Sequence, residues 1–132
     1  MKARLIRTEG PGLEATIECR EETLHVMDEF SWHADSAPQP GQEFHVELSA
    51  GLLSDEDSWE TIFAGNPERR VGLEHRQGWS YRAYGRVAGI NPVRVDCGVL
   101  VVEDVVRTSD ERVVGEYVAF DIDRLDAQGW RD

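Results

Sequence analysis

The stretch WSYRAYGRVAGINPVRVDCGVLVVEDVV, residues 79–106, decides the fold. Tyr81, Ala83, Gly85, Val87 and Gly89 share one phase of a two-residue repeat, and Arg82, Tyr84, Arg86, Ala88 and Ile90 share the other. Successive side chains of a strand point to opposite faces, so this is one strand with two unlike faces. Asn91-Pro92 is a turn dipeptide. A second run follows, with Val93, Val95, Cys97, Val99 and Val101 as an unbroken apolar phase, and with Leu100 and Val102 making the other phase apolar as well. A strand apolar on both faces is usually buried on both, so the second run is expected to pass from a half-solvated position into the centre of the fold. Gly85, Gly89 and Gly98 fit the bends and bulges of a small barrel.

Outward from this hairpin the chain reads as short strands. Ala3, Leu5 and Arg7 alternate with their neighbours up to the Gly10-Pro11-Gly12 break. Leu13, Ala15, Ile17 and Cys19 form a half-buried strand. Arg20-Glu21-Glu22 turns the chain into a second strand, in which Leu24, Val26, Phe30 and Trp32 share a phase interrupted by Asp28. Ser31 to Gly41 is a loop carrying Pro38 and Pro40. Phe44, Val46 and Leu48 then point in, against Glu43, His45, Glu47 and Ser49. Residues 54–64 read as the one helix. Ser54 is its N-cap, acidic residues 55–57 fill its first turn, Trp59, Ile62 and Phe63 form a stripe, and Gly65 is its C′ residue. Arg69 to Glu74 is a short strand. Val118, Phe120 and Ile122 face inward on a last strand, and Arg124 to Asp132 is a tail, with Leu125 and Trp130 as the residues that could tie it down.

One domain of 132 residues follows, mainly β. The expected form is a small antiparallel OB-like or Greek-key barrel with one short helix, and a β-sandwich is the alternative. Apolar residues make up 40% of the chain, which argues against disorder. No apolar run is long enough for a transmembrane helix, and the N-terminus lacks the apolar core of a signal peptide, so the expected location is cytoplasmic. Cys19 and Cys97 both fall in apolar phases and read as buried, reduced thiols.

Motifs exclude more than they assign. There is no phosphate-binding glycine loop, no nucleophile elbow, no zinc spacing of cysteines, and Lys2 is the sole lysine. His25, His33, His45 and His75 show no metal-binding spacing. The expectation is therefore a non-catalytic protein with no cofactor and no metal site.

The formal net charge is −12, yet between residues 69 and 94 six arginines face Glu74 alone, a local +5 that leaves −17 for the rest. Trp79, Tyr81 and Tyr84 are interleaved with those arginines. Arg, Tyr and Trp are the residues most enriched in interface hot spots. The candidate binding residues are Arg76, Trp79, Arg82, Tyr84 and Arg86, with Trp32 and His33 as a rim, and the expected partner is a protein or a second copy of the chain. An OB-type oligonucleotide binder is a second reading, which the net charge opposes. A third is an acidic inhibitor of a basic protein. A fourth is a small ligand-binding protein or enzyme with a pocket around His33, Asp35 and Trp32.

Overall fold

The computed structural model describes residues 1–33, 35–52 and 59–129. The strands are β1 (Lys2–Thr8), β2 (Glu14–Cys19), β3 (Glu22–Glu29), β4 (Glu43–Leu52), β5 (Gly72–His75), β6 (Tyr81–Gly89), β7 (Arg94–Asp96), β8 (Val101–Glu103) and β9 (Tyr117–Gly129). A helix, α1, spans Trp59–Ala64, and a 3-10 turn spans Glu111–Val113. The mainly β expectation holds. Neighbouring strands run β3-β2-β1-β4-β9, and β9 pairs back on β3 in parallel, which closes a ring of five. The β1 to β3 hairpins and β4 bring their apolar phases to its inside, where Leu5, Ile17, Val26, Val46 and Leu125 are almost wholly buried.

β9 is the spine. Its first half pairs with β6, and its second half lies between β4 and β3. The other edge of β6 is shared by β5, opposite Tyr81 to Tyr84, and β7, opposite Arg86 to Gly89. Val118 and Phe120 enter the core, while Ala119 on the opposite face is covered by the turn after α1.

Three expectations are corrected. The residues read as a tail belong to β9 as far as Gly129, with Leu125 and Ala127 fully buried. On β4, Gly51 and Leu52 are adjacent, but their partners are Arg124 and Ile122, so Asp123 is an extra residue on β9. Such a bulge shifts the inward phase by one residue, from Ile122 to Leu125, and a strict period of two ends there. The bulge is clamped by Ser80, whose hydroxyl donates to the Asp123 carbonyl at 2.9 Å, and by the Leu125 N–H, which donates to the Trp79 carbonyl at 2.9 Å.

The second run of the hairpin is not one strand. β7 turns back on itself and β8 pairs with it, Val95 opposite Val102. The turn is made by Gly98 at φ 90°, whose N–H donates to Asp96 Oδ1 at 2.8 Å. Aspartate bonding the backbone two residues on is a turn device, and glycine takes this φ without a Cβ clash. Val101, assigned inward by its phase, is 51% exposed.

Gly65 does not cap α1 in the left-handed region. It is required by close approach instead, because a Cβ there would lie 2.9 Å from the Thr61 carbonyl and 3.0 Å from Ala119 Cβ. Ser54 and acidic residues 55–57 lie outside the described residues. The stripe is uneven: Ile62 is buried, Phe63 is half-buried, and Trp59 is exposed with its ring 5.3 Å from that of Phe63.

Asp28 explains its own break in the apolar phase. It is 0% exposed, and its carboxylate accepts four bonds. The N–H groups of Phe30 and Ser31 donate to Oδ1, both at 2.9 Å. The Ser31 hydroxyl donates to Oδ2 at 2.7 Å, and the Thr8 hydroxyl donates to the same oxygen. No ion pair joins Asp28 to a cation among the described residues, so neutral dipoles alone offset its loss of water. The network ties the end of β3 to the end of β1.

Candidate functional site

The outer face of β6 gathers the arginines. Opposite residues in an antiparallel pair share a face, so three rows form across β5 or β7, β6 and β9. They are Glu74, Arg82 and Asp121; Gly72, Tyr84 and Ala119; and Asp96, Arg86 and Tyr117. Arg82, Tyr84 and Arg86 do share one face.

They are not equally available. Arg82 is held at 3.0 Å by Asp121, its side chain is 15% exposed, and Gly65 at the end of α1 presses close to its guanidinium. It is a largely covered ion pair rather than a free cation. Arg70 lies over the Tyr84 ring at 4.2 Å and pairs with Glu74 at 3.4 Å. Within these two rows the arginines are spent on the protein's own acids.

The third row differs. Arg86 is exposed and, among the described residues, makes one long hydrogen bond, Nε donating to the Gly115 carbonyl at 3.4 Å. Arg69 lies over the Tyr117 ring at 5.9 Å. Neither arginine meets a carboxylate as an ion pair among the described residues. With Phe63, Asn66 and Glu116 they line a pocket of about 480 Å³.

The turn that delivers Arg69 is built for the purpose. Asn66 is 4% exposed, and its amide nitrogen donates to the Arg70 carbonyl at 2.8 Å and to the Val118 carbonyl on β9 at 3.1 Å. Its oxygen accepts from the Arg70 N–H at 2.7 Å. Arg69 itself sits at φ 57°. Left-handed backbone at a side-chain-bearing residue costs roughly 1 kcal/mol and persists only where its surroundings impose it.

Other candidates disperse. Arg76 and Trp79 lie in the β5–β6 connection, at the far end of β6 from Arg86. Trp32 and His33 do not rim the arginine face. They line a separate pocket with Phe30, Phe44 and Gly129, at the opposite end of β9 from Tyr117. Asp35 is exposed and is not among the residues lining that pocket.

Comparison with family models, with curated proteins and with solved structures finds no match.

Two features escaped the sequence. Arg69 and Tyr117 complete the open row, but the partners come from a turn and a strand far apart in the chain. His25 and His75 also meet, with ring centroids 4.5 Å apart. Tyr81 locks this contact: its hydroxyl accepts from the His25 N–H at 2.6 Å and donates to the His25 carbonyl at 3.0 Å. Burial pushes the Tyr81 hydroxyl up to about 12. Glu14 lies 3.7 Å from His25 Nδ1. The described residues contain no group of three or more such side chains arranged to hold a metal. Both cysteines are buried and unpaired, as expected. Burial pushes the Cys19 thiol up to about 11 and Cys97 up to about 12, far from nucleophilic use.

Proposed function

We propose that this protein is a non-catalytic binding module, cytoplasmic, whose recognition face is centred on Arg69, Arg86 and Tyr117. Its partner presents carboxylates, on another protein or on a second copy of this acidic chain. The observation that supports it is the open row: two arginines without a carboxylate partner among the described residues flank a tyrosine, and a buried asparagine holds the turn of one of them, Arg69, in a left-handed conformation. A solvated arginine needs no such mounting. Arg and Tyr are also the side chains that carry most interface energy.

The test is capture from lysate by the wild-type chain and by Arg69→Glu/Arg86→Glu, beside sedimentation of both. Retained proteins, or a dimer, that disappear in the variant while its melting temperature holds support the proposal. Identical capture and identical sedimentation sink it. Arg82→Glu is a poor probe, because it sets a carboxylate against Asp121 and tests stability instead.

The five-strand ring supports a second reading. We read it as a small OB-like barrel, and Arg69, Arg86 and Tyr117 offer both charge and a ring to a single strand. Fold alone assigns no function, and the net charge repels a polyanion. Anisotropy of labelled short oligonucleotides at low salt separates the two: a saturable rise that Arg69→Glu/Arg86→Glu removes would favour nucleic acid.

A further inference from the structure

The pocket at the other end of β9 is unlike the arginine face. It measures about 400 Å³ and is walled by Phe30, Trp32 and Phe44, with Glu29, His33 and His45 at its margin. Among the described residues no lysine or arginine lines it. The volume falls in the range of small-molecule sites.

Its most exposed wall is also a fixed one. Trp32 is 57% exposed, yet its Nε1–H donates to Glu29 Oε2 at 2.8 Å. Gly12 runs against the far edge of the indole, where a Cβ would stand 3.7 Å from Cζ2 and Cη2. The backbone just before Trp32 is pinned by Asp28, which takes the N–H groups of Phe30 and Ser31. Phe30 and Phe44 are packed ring to ring, with centroids 4.7 Å apart, and form the floor. The indole is thus held open to water in one orientation beside a carboxylate.

We infer that this pocket binds a small organic cation of the alkylammonium class. Trp offers the most negative ring face of any side chain, and a cation over it is attracted by the ring quadrupole. Glu29 spends one oxygen on the indole N–H and supplies formal negative charge at the ring's edge. Methyl groups on nitrogen would meet the Phe30 and Phe44 rings, which a hydrated metal ion cannot use. Among the described residues that line it, an anion meets no guanidinium or ammonium. An uncharged apolar ligand would satisfy the rings but make no use of the Glu29 carboxylate.

The experiment uses choline chloride as probe and its uncharged carbon isostere, 3,3-dimethylbutan-1-ol, as control, at constant ionic strength. The readouts are the Trp32 indole N–H and the Gly129 amide in heteronuclear NMR spectra. A saturable shift of both signals is expected, with half-saturation of about 1 mM or below for choline and at least about tenfold weaker for the alcohol. Glu29→Gln, which keeps an acceptor for the indole, should weaken choline by about tenfold. Trp32→Ala, an exposed change that leaves the core intact, should remove the Gly129 response. No saturation by about 50 mM choline would overturn the assignment, given the affinity such contacts supply. So would equal binding of the alcohol, or a Glu29→Gln protein that binds as the wild type does. Because Arg69 and Arg86 lie elsewhere, the result is independent of whether the arginine face has a partner.

Discussion

The two ends of β9 carry opposite chemistry by the same construction. At Tyr117 the surface carries two guanidinium groups, with Glu116 beside them. At Gly129 the described residues offer aromatic rings and one carboxylate. In each case the exposed groups are mounted by a single buried polar residue that is not itself on the surface, Asn66 at one end and Asp28 at the other. Asn66 makes three hydrogen bonds and Asp28 accepts four. The lesson is that recognition chemistry and its scaffolding are separable here. The residue to mutate in order to blur a surface is the buried clamp, and each clamp serves one end.

The comparison breaks most sharply at Asp28. Asp28→Ala leaves four donors facing a void and should cost about 3–4 kcal/mol in urea unfolding. Asp28→Asn should cost about 1–2 kcal/mol, because the Thr8 and Ser31 hydroxyls can rotate to accept from the new amide. In the asparagine variant the Trp32 indole signal should shift while Tyr117 signals stay in place. If both ends move together, the clamps are not separable.

Asn66→Ala is the mirror experiment, at about 2 kcal/mol. It should abolish whatever capture Arg69→Glu/Arg86→Glu abolishes and leave the Trp32 signal alone. Retained capture would show that Arg69 does not need its mounting.

Alkaline pH should erase the difference between the ends, since the groups it ionises lie in the common core. Cys19, Cys97 and Tyr81 all have folded values raised by burial, to about 11, 12 and 12, above their ordinary 9.0, 9.0 and 10.0. Their contribution is fully present below pH 9 and is lost as pH rises from there towards 12, because the unfolded chain ionises first. Unfolding free energy measured from pH 8 upward should fall across that window, with both ends lost in one transition. Cys97→Ala should flatten part of the slope.

The smallest expected effect is a gain. The β2–β3 hairpin turns on Arg20 and Glu21, at φ 48° and 68°. A two-residue turn with both φ positive favours Asn-Gly. Arg20→Asn/Glu21→Gly should add about 0.5–1 kcal/mol, even after losing the Arg20 bond to the Gly98 carbonyl. Neither surface should change.

How much of this was legible follows from what a period of two can carry. It placed Ile17, Val46 and Phe120 in the core, because each lies in an unbroken alternation on a half-buried strand. It failed at Asp123, where one extra residue reverses the phase, and at Gly98, where a run of valines hid an aspartate–glycine turn. Asp28 was visible only as an interruption; its four donors come from Thr8 and from the chain just beyond it, and no spacing announces them. The face of Arg82, Tyr84 and Arg86 was read correctly, but their availability was not. Exposure there depends on α1 and on which arginine meets which acid, Arg82 with Asp121 and Arg70 with Glu74. Arg69 was counted for its charge alone; its position over Tyr117 depends on a backbone angle that Asn66 imposes from outside.

The parallel pairing of Met27 with Asp126 has a kinetic meaning. Two neighbours in the ring stand at nearly opposite ends of the described chain, so their contact carries a large loop-closure cost. β1 to β4 can form hairpins and a partial sheet early, but the free edges of β3 and β4 stay unpaired until residues beyond Ile122 arrive. During synthesis that interval exposes Val26 and Val46 to other chains. The last strand therefore acts as the closing stave, and assembly should be slow, cooperative and intolerant of nicks between Leu125 and Gly129.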